Sequence, residues 1–225
     1  GGLGALRDAI VRVAQRAGVE IRTQSEVTAL EATRRRVTGV QLAGEFITAP
    51  VVVVNADAEH LYRDLLPDTK RLRAVQQTER STSGVAVLVG VEGRTPLIEH
   101  HNVWFSRDYA REFNDISANR VPSDPTIYGC VSSITDASQA PAGCENWFLL
   151  INTPSDDTIN ARDVGPWILE QLAAVGPDLR DRARFAEVIG PRDLAERYRS
   201  PGGAIYGTSS NGRRAAFRRP AMRGP

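Results

Sequence analysis

The run Val51-Val52-Val53-Val54, followed at once by Asn55-Ala56-Asp57, constrains this chain more than any other stretch. A strand that is apolar on every residue is one covered on both faces, the condition of a parallel α/β sheet rather than of a half-solvated antiparallel one. The residues before it suit such a unit. Leu3, Leu6, Ile10, Val13, Ala14 and Ala17 fall at helical spacing, and Gly18 stands where a helix ends. Residues 19–22 read as a strand, and residues 26–30 and 37–42 read as a hairpin turning through the polar residues 33–36. The spacing predicts that residues 1–67 form part of a doubly wound α/β unit. The strand that should open such a unit, with its phosphate-binding glycines, is not in the sequence, so the chain reads as an interior segment.

After Pro67 the pattern changes. Residues 83–91, 101–106, 126–132, 146–152 and 184–190 read as strands, separated by Pro- and Gly-bearing turns such as residues 136–143. Asp108 stands at the start of a helix that places Tyr109, Phe113 and Ile116 on one face. Ala161–Val175 is an amphipathic helix stopped by Gly176-Pro177, and Pro191–Tyr198 is a short one. The expected fold class is α/β with an α+β insert: residues 68–198 make an antiparallel sheet with helices, and residues 199–225 return to the first unit and end in a disordered tail.

Composition excludes several functions. With 28 basic and 27 acidic residues the net charge is +1, whereas nucleic-acid binding calls for a basic excess or stripe. Arg213, Arg214, Arg218, Arg219 and Arg223 cluster near the end without aromatic partners for base stacking, which reads as a solvated tail. Cys130 and Cys144 lack the spacing of a zinc motif and are too few for a disulfide framework, pointing to reduced thiols in a cytoplasmic setting. No apolar run approaches the length of a membrane span. Walker, HExxH, Ser-His-Asp and GxGxxG patterns are all missing, so hydrolase and nucleotide-triphosphatase readings lack support.

Asn55, Ala56 and Asp57 occupy the carboxyl end of the expected parallel strand, where open α/β sheets bind ligands. Asp57 also suits an N-cap for a helix beginning near Ala58, and the two roles are compatible. His100 and His101 invite a metal reading, but successive residues on a strand point to opposite faces, and His60 has no ligand partner at suitable spacing. No metal site is expected.

The string His100-His101-Asn102-Val103-Trp104-Phe105 resembles the His-His-x-Ile-x-Phe strand of the phytoene desaturase (carotenoid desaturase) family, within the amine-oxidase-like flavoproteins. Ser132-Ser133-Ile134-Thr135-Asp136-Ala137-Ser138 with Ala140-Pro141-Ala142-Gly143 is similar to that family's Ser-x-x-Asp-x-x-x-Ala-Pro-x-Gly turn, and Gly202-Gly203-Ala204-Ile205-Tyr206-Gly207 to its Gly-Ser-x-x-Gly stretch. Asn55-Ala56-Asp57 matches the motif at the strand that returns to the flavin domain. The resemblance implies FAD as cofactor in the full-length parent, with Val27 offering its main-chain N–H and C=O to the adenine edge. A plain strand valine is the equal alternative at that position.

The resemblance also implies a partial FAD-binding unit carrying a substrate domain. The implied reaction is desaturation of a lipophilic polyene, with hydride passing to the flavin while the protein supplies orientation and a dry channel. Trp104, Phe105, Trp147 and Phe148 are candidates for the channel wall, although an aromatic stripe is more often plain core. No catalytic acid or base is assigned, and the oligomeric state stays open. The parent is expected to touch a membrane peripherally, and the segment alone is expected to be inactive. The alternatives are another amine-oxidase-like flavoprotein, or a non-catalytic remnant unable to hold FAD.

Overall fold

The computed structural model describes residues 2–33 and 36–211, which divide into two compact units. The first comprises residues 2–53 with Asp64–Leu66, and the second Val54–Arg63 with residues 67–211. The arginine-rich segment 213–223 and the tip of the expected turn at residues 34 and 35 lie outside the described residues.

The first unit opens with helix α1 (Gly2–Arg16), which buries none of its residues and leaves Leu3, Leu6, Ile10 and Val13 exposed along one stripe. Its end is closed as the sequence predicts. Gly18 adopts φ +82°, its N–H donates to Gln15 O at 3.0 Å, and the Val19 N–H donates to Ala14 O at 3.0 Å. These paired bonds satisfy carbonyls that the helix leaves open. Strands β1 (Val27–Ala32), β2 (Val37–Leu42) and β3 (Glu45–Thr48) form an antiparallel sheet in that order. The expected hairpin is β1–β2; β3 adds a third strand that so short a polar stretch does not announce.

Two expected strands are corrected. Residues 19–22 and 51–54 form no strand, and among the described residues neither has a ladder partner. Val51 and Val53 are 76 % and 90 % exposed rather than covered. A parallel strand is held by neighbours on its sheet, and no described segment runs beside this one. The doubly wound character inferred from the valine run is thus carried by composition alone.

The second unit holds helices α2 (Ala58–His60), continued by a π-helical turn, and α3 (Thr69–Gln76). They precede a five-stranded sheet of β4 (Ser83–Glu92), β5 (His101–Trp104), β6 (Ile127–Cys130), β7 (Cys144–Thr153) and β8 (Ala183–Ile189). Its order is β5-β6-β7-β4-β8 and every pairing is antiparallel. Helices α4 (Tyr109–Ser117), α5 (Ala161–Val175) and α6 (Pro191–Tyr198) complete the unit. The inserted antiparallel sheet with helices is present as expected.

The two faces of this sheet differ. Val85, Val87, Val89 and Val91 of β4 and Trp147, Leu149 and Ile151 of β7 join Ile168 and Leu172 of α5 in one buried cluster. Each such side chain contributes roughly 1.5–3 kcal/mol through removal from water. At Gly165 of α5 an added Cβ would stand 2.4 Å from a Val188 methyl, so the helix lies too close to β8 for any larger residue. The opposite face carries Leu88, Phe148, Leu150, Tyr128 and Cys130, all half-buried. Alternation along each strand sorts the residues into these two sets.

The chain returns to the start of β4 after α6. Ile205 N–H donates to Thr82 O at 3.1 Å, Ser81 N–H to Gly207 O at 2.9 Å, and Ser209 N–H to Glu79 O at 2.8 Å. The buried Ser83 hydroxyl donates to Gly203 O at 2.7 Å. Gly203 has φ +68°, and a Cβ there would sit 2.2 Å from Pro191 O. Its close approach is therefore to the backbone of Pro191.

Candidate functional site

Asn55 and Ala56 are exposed, and Asp57 begins α2. Asp57 Oδ1 accepts the Glu59 N–H at 2.8 Å, which is the N-cap bond the sequence suggests. Its Oδ2 accepts from Arg80 Nη1 at 3.0 Å. Arg80 Nη2 reaches Glu59 Oε2 at 2.5 Å, while Glu59 Oε1 accepts from Arg63 at 3.2 Å and from Gln76 Nε2 at 3.3 Å. The Asp57, Glu59 and Arg80 side chains are only 10 %, 12 % and 15 % exposed. Two acidic groups therefore share one guanidinium, a charge-assisted arrangement that fixes the start of α2. Arg80 is held by the returning chain, since it bridges to Thr208. Sequence reasoning missed it because 23 residues separate it from Asp57 and no local spacing links them.

Val27 lies in the first unit, whereas Asn55, Ala56 and Asp57 belong to the second. Val27 is half-buried and opens β1, which among the described residues is an edge strand paired with β2 alone. Alternate residues of an edge strand turn their main-chain groups away from the ladder, which is what recognition of a planar base requires. The fit to FAD is partial: a strand edge and a capped turn are present, but the glycines that open α1, Gly2 and Gly4, lack the GxGxxG spacing of a pyrophosphate turn.

The four aromatic candidates separate. Trp147, 2 % exposed, is core, donates Nε1–H to Glu145 Oε2 at 3.0 Å, and stacks with Trp104 at 6.4 Å between centroids. Phe148 lies on the opposite face, edge-on to Tyr128 at 6.4 Å. Phe105 is 72 % exposed. The open face reads in rows: Val103 pairs with Tyr128, Tyr128 with Leu150, and Leu150 with Ala86, while Cys130 pairs with Phe148 and Phe148 with Leu88. This is a largely apolar wall about the width of four strands.

The metal argument from strand alternation does not hold. His100 precedes β5 rather than lying in it, so its ring is free to turn beside His101, with centroids 4.3 Å apart. Cys130 pairs with His101 across the ladder, and one ligand atom from each of His100, His101 and Cys130 falls within 4.8 Å of the others. Adjacency in sequence concealed this: the strand begins at His101, as the sequence suggests, but the alternation argument treated His100 as part of it.

The buried carboxylates elsewhere are structural. Glu145 accepts from the Thr95 N–H at 2.8 Å and the Thr95 hydroxyl at 2.7 Å. Glu112 of α4 does the same for Thr126, at 3.1 and 2.7 Å. On the surface, hydrogen bonds from the Arg180 side chain hold the Asp178 carboxyl down to about 2. Arg120 lowers Asp115, and the Arg107 backbone N–H lowers Asp124. Each of these favours the ionised form. None of these stands on the open sheet face, whose row through Cys130, Phe148 and Leu88 ends in His101 at one edge and Glu187 at the other.

An antiparallel sheet with one face under helices and the other open is a fold shared with an oxidoreductase from Methanosarcina mazei. The two agree with a TM-score of 0.61 at 16 % identity, over 81 % of this chain and 41 % of that one, a likeness of fold alone. Residues 1–163 match the flavin containing amine oxidoreductase family, and the chain belongs to it. It is 32 % identical, over 97 % of its length, to the 1-hydroxycarotenoid 3,4-desaturase of a Flavobacterium species. It is 35 % identical, over 92 % of its length, to the 4,4'-diaponeurosporene oxygenase of Staphylococcus aureus. The chain spans only 46 % and 44 % of those two relatives.

Proposed function

We propose that this chain is the central part of an FAD-dependent oxidoreductase that desaturates a carotenoid-type polyene. The observation that carries the reading is the open face of the five-stranded sheet, where Val103, Tyr128, Phe148, Leu150 and Leu88 lie in register and the one ionisable group among them is the Tyr128 phenol, which burial holds in its neutral form. A polyene has no charged handle, so an apolar wall that excludes water is the recognition it can use. Bound flavin supplies the acceptor for a hydride; this chain's residues orient the substrate and keep its path dry. Both curated relatives carry carotenoid names, which supports the same substrate class.

In the whole protein, residues 1–67 and 199–225 belong to the FAD-binding domain and residues 68–198 to the substrate domain. Val27 meets the adenine edge, and Asn55, Ala56 and Asp57 shape the turn near the cofactor. Asp57 does so indirectly, since its carboxylate is already shared between the α2 cap and Arg80. Among the described residues no helix is long and apolar enough to cross a membrane. Peripheral contact is favoured by the exposed apolar side chains of Phe105, Tyr109 and Phe113.

The family name favours a second reading, oxidation of an amine. The flavin-loaded full-length protein incubated with phytoene in liposomes, in parallel with amine substrates, separates the two. Red-shifted polyene absorption without amine turnover is expected; amine turnover with untouched phytoene overturns the proposal.

A further inference from the structure

We propose that His100, His101 and Cys130 form a site for one borderline-to-soft divalent cation, with zinc as the natural probe. Imidazole and thiolate are the ligands such ions prefer. The three side chains are brought together by separate pieces of structure. His101 and Cys130 face each other across the β5–β6 ladder, and His100 is set beside them by the bend before β5, where its carbonyl accepts the Val131 N–H at 2.8 Å. Their ligand atoms lie within 4.8 Å of one another. Tetrahedral zinc with bonds of 2.0–2.3 Å brings ligands to about 3.3–3.6 Å, a contraction that side-chain rotation at the sheet edge can supply.

A second feature points the same way. Each imidazole is already steered by a hydroxyl: His100 Nδ1 meets Thr135 Oγ1 at 2.6 Å, and His101 Nδ1 meets Tyr128 OH at 2.8 Å. Metal-ligating histidines are held by outer partners of this kind, which set ring orientation and tautomer. Tyr128 stacks on His101 with centroids 6.0 Å apart, and a water completes the fourth position. As the metal–sulfur bond forms, the Cys130 thiol proton leaves to solvent, and no oxidant or reductant is needed. His101 is exposed and the other two residues are half-buried, so the site opens to solvent at the rim of the apolar wall. A bound ion there joins β5, β6 and the turn bearing Thr135.

The test uses the purified chain stripped with chelator, then titrated with Zn2+ and, separately, with Co2+. One ion per chain is expected, with thiolate-to-cobalt charge-transfer absorption and the intense visible bands of tetrahedral cobalt. Cys130→Ser should abolish the charge-transfer band and weaken zinc binding at least tenfold, and His101→Ala should weaken it comparably. Thr135→Val should cost about tenfold, as outer-partner losses do. Cys144→Ser and His60→Ala should bind within twofold of the parent. The cobalt spectrum of the unaltered chain reads thiolate ligation without any variant, so a folding defect cannot mask the answer. No uptake at micromolar zinc, a spectrum lacking the charge-transfer band, or binding indifferent to Cys130→Ser overturns the proposal.

Discussion

Arg80 donates to Asp57 at 3.0 Å across 23 residues of sequence, joining the cap of α2 to the strand-like segment against which the chain returns. Two functions meet in the Asp57 carboxylate, the cap bond through Oδ1 and the ion pair through Oδ2. They can be separated by mutation. Asp57→Ala loses both and should destabilise the second unit by about 1–3 kcal/mol in urea unfolding, part of it from leaving a nearly buried guanidinium short of one partner. Asp57→Ser keeps a capping oxygen and should recover about 1 kcal/mol of that. In an Arg80→Met background the two variants should differ from the parent only by the cap. Equal losses for Ala and Ser would show that the cap contributes nothing.

The sequence made the second unit legible to the residue in places and the first unit much less so. Alternation in β4 and β7 marks one face buried and the other half-exposed, and the observed register agrees. The Gly18 helix end and the Asp57 and Asp108 caps are equally local, so spacing suffices to find them. The valine run failed because burial on both faces depends on neighbours that are not local. Arg80 and the His100–Cys130 approach depend on pairing over long sequence separations, which composition does not encode. His100 adds a finer lesson, since one residue of strand boundary decides whether two adjacent rings diverge or converge.

Neighbouring aromatics on β7 should respond oppositely to truncation. Trp147→Ala removes a buried ring and its bond to Glu145, and should cost about 3–5 kcal/mol in chemical denaturation. Phe148→Ala, on the half-exposed face, should cost under about 1.5 kcal/mol. In the full-length protein Phe148→Ala should instead raise KM for the polyene with little change in thermal stability. A large stability loss at Phe148 with unaltered kinetics would place that ring in the core and remove it from the wall.

The chain as given should retain FAD weakly. Its sequence has no GxGxxG turn, and the described residues offer an adenine-edge strand and a capped turn while the glycines opening α1 lack the spacing of a pyrophosphate cradle. Protein purified in the presence of FAD should show little absorbance near 450 nm after gel filtration. A yellow, stoichiometric complex would mean that the partial contacts suffice.

Acid sensitivity should be traceable to single carboxylates. Asp178 has its pKa depressed to about 2 by the Arg180 side chain, whose Nη2 and Nε donate at 2.6 and 2.8 Å. A depressed folded pKa means that the pair stabilises the fold above the ordinary carboxylate value of about 3.9, and that this contribution fades as pH falls from there through about 2. Both side chains are about half exposed, so the effect on global stability is small and the titration itself is the better readout. Carboxyl 13C NMR should place the Asp178 midpoint near 2 in the parent chain, and Arg180→Ala should return it toward about 3.9. The melting temperature should change little between pH 7 and pH 5 on account of this pair and decline below about pH 4. A midpoint near the ordinary value in the unaltered chain would mean that the Asp178–Arg180 contact is not kept in solution.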